Sequence, residues 1–355
     1  MKSKVYFQSV SSSDNTQSIK EKVKKLLDAS NVLGVIQKKD KVAVKMHFGE
    51  EGNTGFINPE YAAVISKEIV KKCAAAFLAD TNTLYPGRRI KSDEHLKLTH
   101  EHGFTKEVTG LDVIIPDDTK KENKAEIKIN HRLIKIAKVV RLFVDADAII
   151  AISHFKGHIL TGFGGALKNL GMGCATREGK LAQHCDVAPF VIRGNCVACR
   201  ACIKVCPSGA IQIINKKAEV DRAKCIGCAN CIGACQTMAM FVDLEAGSAA
   251  QEKMAEYANA ALIGKKEKAG FISFALKINK ECDCWNMENP RIAPDVGILA
   301  SNDPVSIDKA SLDVINKVCK KDIFKAAHPD QNGMVQLRHA QEIGLGSLDY
   351  ELIEL

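Results

Sequence analysis

The chain has 355 residues, 46% of them hydrophobic, and a formal net charge of +8. That length supports a large buried core and more than one domain, while no apolar stretch approaches the roughly 20 residues of a membrane span. Aromatic residues are only 5% of the chain and do not interleave with lysine pairs such as Lys120-Lys121 and Lys265-Lys266, so the charge reads as solvated faces rather than a nucleic-acid surface.

The first half alternates strand and helix. Residues 4–10 are strand-like directly from the N-terminus, with no signal peptide, which predicts a cytoplasmic, reduced protein. A helix is expected over 15–30 with Asp14 as its cap, a strand over 41–46, and a helix over 58–73 with Pro59 in its first turn. A strand over 76–80, a helix over 92–102 closed by Gly103, and a strand over 112–115 follow. Residues 139–144 lead into 148–153, an apolar run typical of a buried strand. The alternation predicts an α/β fold: a mainly parallel sheet with helices on both faces.

Parallel sheets bind ligands beyond the carboxyl ends of their strands. Three such ends carry polar clusters: Lys45 to Glu50; Asp80 to Tyr85 with Arg88 and Arg89; and Ser153 to His158, running into Gly162-Phe163-Gly164-Gly165-Ala166-Leu167-Lys168-Asn169. In the third, His154, Lys156, His158 and Lys168 crowd one glycine-rich turn. Its glycines allow close backbone approach to a ligand, and free N–H groups at a helix start favour an anion. The plainer reading is a tight strand–helix turn with surface histidines, but four such side chains together favour a site. His154, His158 and Lys168 are expected to act on substrate, with Gly164, Gly165, Lys168 and Asn169 holding a ligand or cofactor.

Next come two runs of four cysteines: Cys196, Cys199, Cys202 and Cys206, followed by Pro207; then Cys225, Cys228, Cys231 and Cys235, followed by Gln236. Both have the C-x2-C-x2-C-x3-C spacing of two-cluster ferredoxins, in which each run's fourth thiolate reaches across to the other cluster. Cys196, Cys199, Cys202 and Cys235 are therefore assigned to one 4Fe–4S cluster, and Cys206, Cys225, Cys228 and Cys231 to a second. Small residues in the gaps let the backbone close on a cluster and aim N–H groups at sulfur. The halves repeat after roughly 29 residues, and 209–213 and 238–242 read as the short strands that pair in such a module. Zinc ribbons use separated cysteine pairs instead.

After this segment the α/β pattern returns, with a helix over 248–262, strands over 270–276 and 295–300, a helix over 304–318 and a short strand over 351–354. One α/β domain, 1–187 and 244–355, is thus interrupted by a small α+β dicluster ferredoxin domain at 188–243. Asp303 is the expected cap of the last long helix, with Asp308 facing solvent or the sheet end. Of the six other cysteines, Cys73 and Cys319 read as helix-face core thiols. Cys282 and Cys284 are too close in sequence for an unstrained disulfide. They are either two loop thiols or a pair that shares a metal or lines a redox-active pocket. Cys174 and Cys185 flank His184, so a metal site of Cys282, Cys284 and His184 is conceivable.

Residues 154–158 through 171–173, with Cys282-x-Cys284 and Asp295 to Ser301, resemble the domain of unknown function 362 proteins over nearly the whole chain. Those with an internal ferredoxin insert are often labelled Fe–S center proteins; the resemblance implies no established reaction. The cysteine runs resemble the bacterial dicluster ferredoxin. A more distant resemblance is to nickel-pincer lactate racemases, whose His…Gly-Phe-x-Gly-Gly-x-Lys segment is paralleled here by His158 and Gly162 to Lys168, with Ala166 in place of one glycine. It implies Lys168 as cofactor anchor, His184 as metal ligand and His158 as proton carrier, with Asp80 and Arg88 or Arg89 toward a carboxylate substrate. The segment Asn169-Leu170-Gly171 departs from the racemase pattern.

Three functions remain. The first is a redox enzyme in which two 4Fe–4S clusters relay electrons from a partner ferredoxin or flavoprotein to a small molecule or an additional metal in the α/β pocket. The second is an electron carrier or metal- or ligand-binding protein without turnover. The third is a racemase-like isomerase of small hydroxy acids. None requires nucleic acid or a membrane.

Overall fold

The computed structural model describes residues 2–85, 87–184, 188–241 and 249–355. Its strands in chain order are β1 (Ser3–Ser9), β2 (Lys41–Lys45), β3 (Ala75–Ala79), β4 (Val113–Ile114), β5 (Lys124–Lys128), β6 (Ile136–Val140), β7 (Ala148–His154) and β8 (Lys156–His158). They continue with β9 (Gly162–Gly164), β10 (Phe190–Val191), β11 (Ile211–Ile214), β12 (Lys217–Val220), β13 (Met240–Phe241), β14 (Ala269–Ala275), β15 (Gly297–Ser301) and β16 (Tyr350–Glu354).

Eight strands form the central sheet in the order β16-β1-β15-β14-β7-β2-β3-β4. All neighbours are parallel except β15, which is antiparallel to both β1 and β14. The sheet is thus mainly parallel, and alternating side chains divide between two cores. Ile150 and Ile152 of β7 pack with Val23 and Leu26 of helix Thr16–Ser30 and Ile65 of helix Pro59–Val70. Ile149 and Ala151 face the other side, toward Leu167, Tyr257 and Ile315 of helices Ala166–Gly171, Ala249–Ala261 and Pro304–Cys319. Helices therefore cover both faces. Among the described residues no helix is long and apolar enough to cross a membrane.

From β2 the chain moves outward through β3 to β4, then returns to place β7 on the other side of β2. The order reverses between β2 and β7, and a crevice opens there beyond the carboxyl ends of the strands.

Residues 188–241 stand outside this sheet as two small ones, β10 with β13 and β11 with β12, around an apolar cluster that Leu84 and Leu181 also join. The expected strands at 209–213 and 238–242 each find a partner, but not each other. Residue 242 and the start of the next helix at 248 lie outside the described residues, as do Cys185 and the expected domain limits at 187 and 243.

Local chemistry sets several boundaries. Asn15, rather than Asp14, caps helix Thr16–Ser30 by accepting from Ser18 N; Asp14 accepts from Ser11 N and pairs with Lys22. Asp303 caps helix Pro304–Cys319, with one oxygen on Val305 N and Ser306 N at 2.8 and 2.9 Å. Its other oxygen takes Ser3 Oγ at 2.7 Å and Ser347 N at 2.9 Å, tying β1 and the approach to β16 to one helix start. Asp303→Ala is expected to destabilise the fold by about 2 kcal/mol, the upper end for a lost cap, read as a lower urea midpoint with unchanged slope. An unchanged midpoint would show that the cap contributes nothing.

Candidate functional site

A cavity of about 520 Å³ occupies the crevice. β2 supplies Lys45 and, just beyond, His47 and Glu50. The end of β3 supplies Asp80, followed by Tyr85 and Arg89. The end of β7 supplies His154, and the β8–β9 hairpin supplies Lys156 and His158. Helix Ala166–Gly171 carries Lys168 and Asn169, helix Arg177–His184 carries Lys180 and His184, and the segment after β14 adds Cys282, Asp283, Cys284 and Trp285.

Five cations (Lys45, Arg89, Lys156, Lys168 and Lys180) line the cavity against three carboxylates (Glu50, Asp80 and Asp283), while Arg88 and Glu51 pair with each other. Asp80 accepts from Lys45 Nζ at 2.9 Å and Arg89 Nη2 at 3.4 Å. Burial raises its carboxyl, but those two cations overcome this and hold it well below the usual range. Arg89 also meets Glu50 at 3.4 Å. Arg88, by contrast, is engaged by Glu101 at 2.6 Å, so its fork is not free for a substrate carboxylate. Asp283 binds His154 Nδ1 at 2.9 Å and Lys156 Nζ at 2.8 Å; despite burial, these neighbours keep it ionised.

The histidines divide by their partners. His154 faces Asp283 with Nδ1 and the Leu276 carbonyl with Nε2 at 2.7 Å, so neither nitrogen is left for a substrate. Burial, reinforced by Lys168, lowers His158 far below the ordinary value. Burial and Lys168 likewise bring His184 to about 4, and His184 Nδ1 is buried without a hydrogen-bond partner among the described residues. His47 accepts from Gly49 N at 2.9 Å through Nδ1, and its Nε2 is buried and unpartnered.

Lys168 makes no hydrogen bond or ion pair among the described residues. Burial, then Lys156, lowers its ammonium to about 7, with Asp283 opposing. A Cβ on Gly164 would stand 2.8 Å from Lys168 Cδ, so the glycine leaves room for this side chain to lie across it. A Cβ on Gly165 would collide with the carboxylate of Asp308. The room at both glycines is thus taken by the chain's own side chains. Asp308 does not face solvent: it is fully buried and accepts from Ala166 N and Leu167 N at 2.7 and 2.9 Å, filling the helix start where an anionic ligand is expected. Asn169 is likewise committed, accepting from Lys45 Nζ at 2.8 Å and donating to Ile152 O at 3.0 Å.

The structure joins Cys282 and Cys284 in a disulfide. The turn closed by Trp285 N on Cys282 O brings their Cα atoms to 5.3 Å, within ordinary bridging range. His158 lies with both sulfurs, the three ligand atoms all within 4.8 Å of one another. His158 therefore takes the place expected of His184. Lys180 was not legible as a site residue, although its spacing one helical turn before His184 put both on one face.

The eight clustered cysteines line two small cavities, one with Cys196, Cys199, Cys202 and Cys235, the other with Cys206, Cys225, Cys228 and Cys231. Each quartet draws its fourth cysteine from the other run. Cys206 Sγ accepts from Ala210 N at 3.3 Å and Cys235 Sγ from Ala239 N at 3.2 Å, at matching places in the repeat. Ala198, Arg200 and Gly209 have positive φ, as do Gly227, Ala229 and Met238, their equivalents in the second run. Met240 lines both the first quartet's cavity and the central cavity.

The family model "Domain of unknown function (DUF362)" matches residues 42–313. No curated protein matches the chain. Among solved structures, the lactate racemase apoprotein from Thermoanaerobacterium thermosaccharolyticum is similar at 14% identity and a TM-score of 0.41, covering 76% of this chain and 50% of that one. A Thermotoga maritima protein is similar at 15% identity and a TM-score of 0.39, covering 86% of this chain and 58% of that one. The chain spans about half the length of these structures.

Lys168 should react with trace acetic anhydride with a midpoint near pH 7, unprotonated and nucleophilic above it, protonated and inert below it. Exposed lysines follow about 10.4. Peptide mass spectrometry across pH checks this, and a Lys168 profile that superimposes on exposed lysines refutes it.

Proposed function

We propose that this chain, which belongs to the DUF362 family, is an iron–sulfur protein that passes electrons to or from an anionic small molecule bound in the central cavity. The two quartets suit 4Fe–4S clusters: four thiols converge in each, backbone N–H groups reach sulfur, and the left-handed turns recur at equivalent positions. Such clusters supply one-electron transfer. The observation that carries the reading is Met240, a single residue shared between the first quartet and the cavity wall. Cys199 of that quartet is exposed, which suits electron exchange with a ferredoxin or flavoprotein. Residues 188–243 act on this reading as a ferredoxin-type insert in an α/β domain formed by 1–187 and 244–355.

In the cavity, Lys156 and Lys168 attract and orient the anion, and five lining cations against three carboxylates favour its bound over its hydrated form. Above about pH 7 Lys168 is a neutral amine that can accept a proton from the ligand; below it the ammonium can return one.

A racemase-like isomerase is favoured by one observation, the unpartnered amine of Lys168. It requires a group linked to that lysine, and a denatured mass equal to the bare chain removes it.

Anaerobically purified protein should hold about eight irons per chain, falling by about half in Cys202→Ser or Cys231→Ser. Dithionite-reduced protein should be reoxidised by a 2-oxo acid, which takes two electrons and two protons to become the 2-hydroxy acid, followed by the return of visible absorbance. Lys168→Ala should slow this at least tenfold with iron unchanged. Chains that lack iron sink the cluster reading; full iron with no reoxidation leaves a carrier.

A further inference from the structure

We propose that His158, Cys282 and Cys284 form a mononuclear site for a thiophilic divalent ion, of which zinc is the representative, and that the site exists only when the cysteine pair is reduced. It stands whether or not the two quartets hold clusters.

The donors come from two elements that the fold forces together. A Cβ on Gly157 would collide with the Lys280 carbonyl, and Gly157 N donates to Asn279 O at 2.9 Å. Only glycine lets β8 lie this close to the 279–284 segment, and that contact delivers His158 to the sulfurs. The segment is held along its length: Glu50 N donates to Asp283 O at 3.0 Å and Tyr85 Oη to Cys284 O at 3.1 Å. Asp283, between the cysteines, points its carboxylate to His154 and Lys156, away from the ligand set.

The donor chemistry selects the ion. Two thiolates and a neutral imidazole suit zinc and exclude magnesium and calcium, which need oxygen. His158 Nδ1 lies 3.0 Å from Thr161 Oγ1, whose hydroxyl donates to Phe163 O at 2.7 Å. Thr161 is therefore free to accept from Nδ1–H, leaving Nε2 with a lone pair for the metal; an outer hydrogen bond of this kind orients a ligating histidine. Leu160 N reaches the same Nδ1 at 3.2 Å and favours the opposite tautomer without an ion. Three protein ligands leave one tetrahedral position open, in a cavity where Lys156 and Lys168 favour an anion.

The disulfide and the metal compete for the same sulfurs. A water-soluble phosphine breaks the S–S bond, takes the oxygen of one water as it becomes the phosphine oxide, and leaves its two hydrogens on the thiols. Zn2+ then displaces two protons to solvent as both thiolates bind.

The test uses the full chain, purified anaerobically, with Zn2+ as probe and chelator washing before analysis. Phosphine-reduced protein should retain one more zinc per chain than untreated protein, with two sulfur neighbours at about 2.3 Å by zinc-edge absorption. Cys284→Ser and His158→Ala should each weaken that zinc by on the order of 100-fold while iron content and circular dichroism stay unchanged. Zinc uptake equal with and without reduction overturns the proposal, as does zinc that survives both variants or shows no sulfur neighbour. Because iron is counted in the same samples, loss of clusters and loss of this site are told apart.

Discussion

The buried carboxylate of Asp80 is the charge on which the cavity rests. Two cations, Lys45 and Arg89, sit beside it out of water, and each would be prohibitively costly there alone. Removing one partner of such a group costs on the order of 3–5 kcal/mol, because the others are left uncompensated. Asp80 follows β3 and Lys45 ends β2, so the ion pair also fixes the register in which those parallel strands end. Asn169 continues the net to β7 through Ile152 O. The switch point is therefore held open by charge and hydrogen bonding instead of being filled by apolar side chains.

A second net, centred on Asp283, closes the other wall. It leaves Lys168 and His184 as the groups with least to bind. The cavity neutralises most of its charge internally and, among the described residues, leaves the Lys168 amine without a hydrogen bond or ion pair. Gly164 and Gly165 leave the room that the side chains of Lys168 and Asp308 occupy.

The cysteine-rich segment is organised by its own repeat. Its left-handed positions recur in register even where the residue is alanine, arginine or methionine rather than glycine. Non-glycine residues adopt that conformation at a cost, so its repetition marks two copies of one loop geometry. The replacement of Pro207 by Gln236 leaves this geometry intact.

Much of the fold was legible from local patterns. The all-apolar run before His154 marked a central strand, Asp303-Pro304 marked a helix start, and the cysteine spacing marked two equivalent loops. Those features depend on side-chain period, fixed φ and short-range hydrogen bonds, which a sequence carries in adjacent residues. The site was legible only as a set of strand ends. Nothing local shows that Asp308 fills the helix start at Ala166, that Arg88 is spent on Glu101, or that His158 rather than His184 meets Cys282 and Cys284. His158 and Cys282 are 124 residues apart, and their meeting depends on a backbone approach that only Gly157 permits. Neighbours along the chain set which elements form and which reactive side chains they carry. Tertiary structure alone decided which of those groups neutralise one another and which remain free, because burial and charge pairing are properties of neighbours in space.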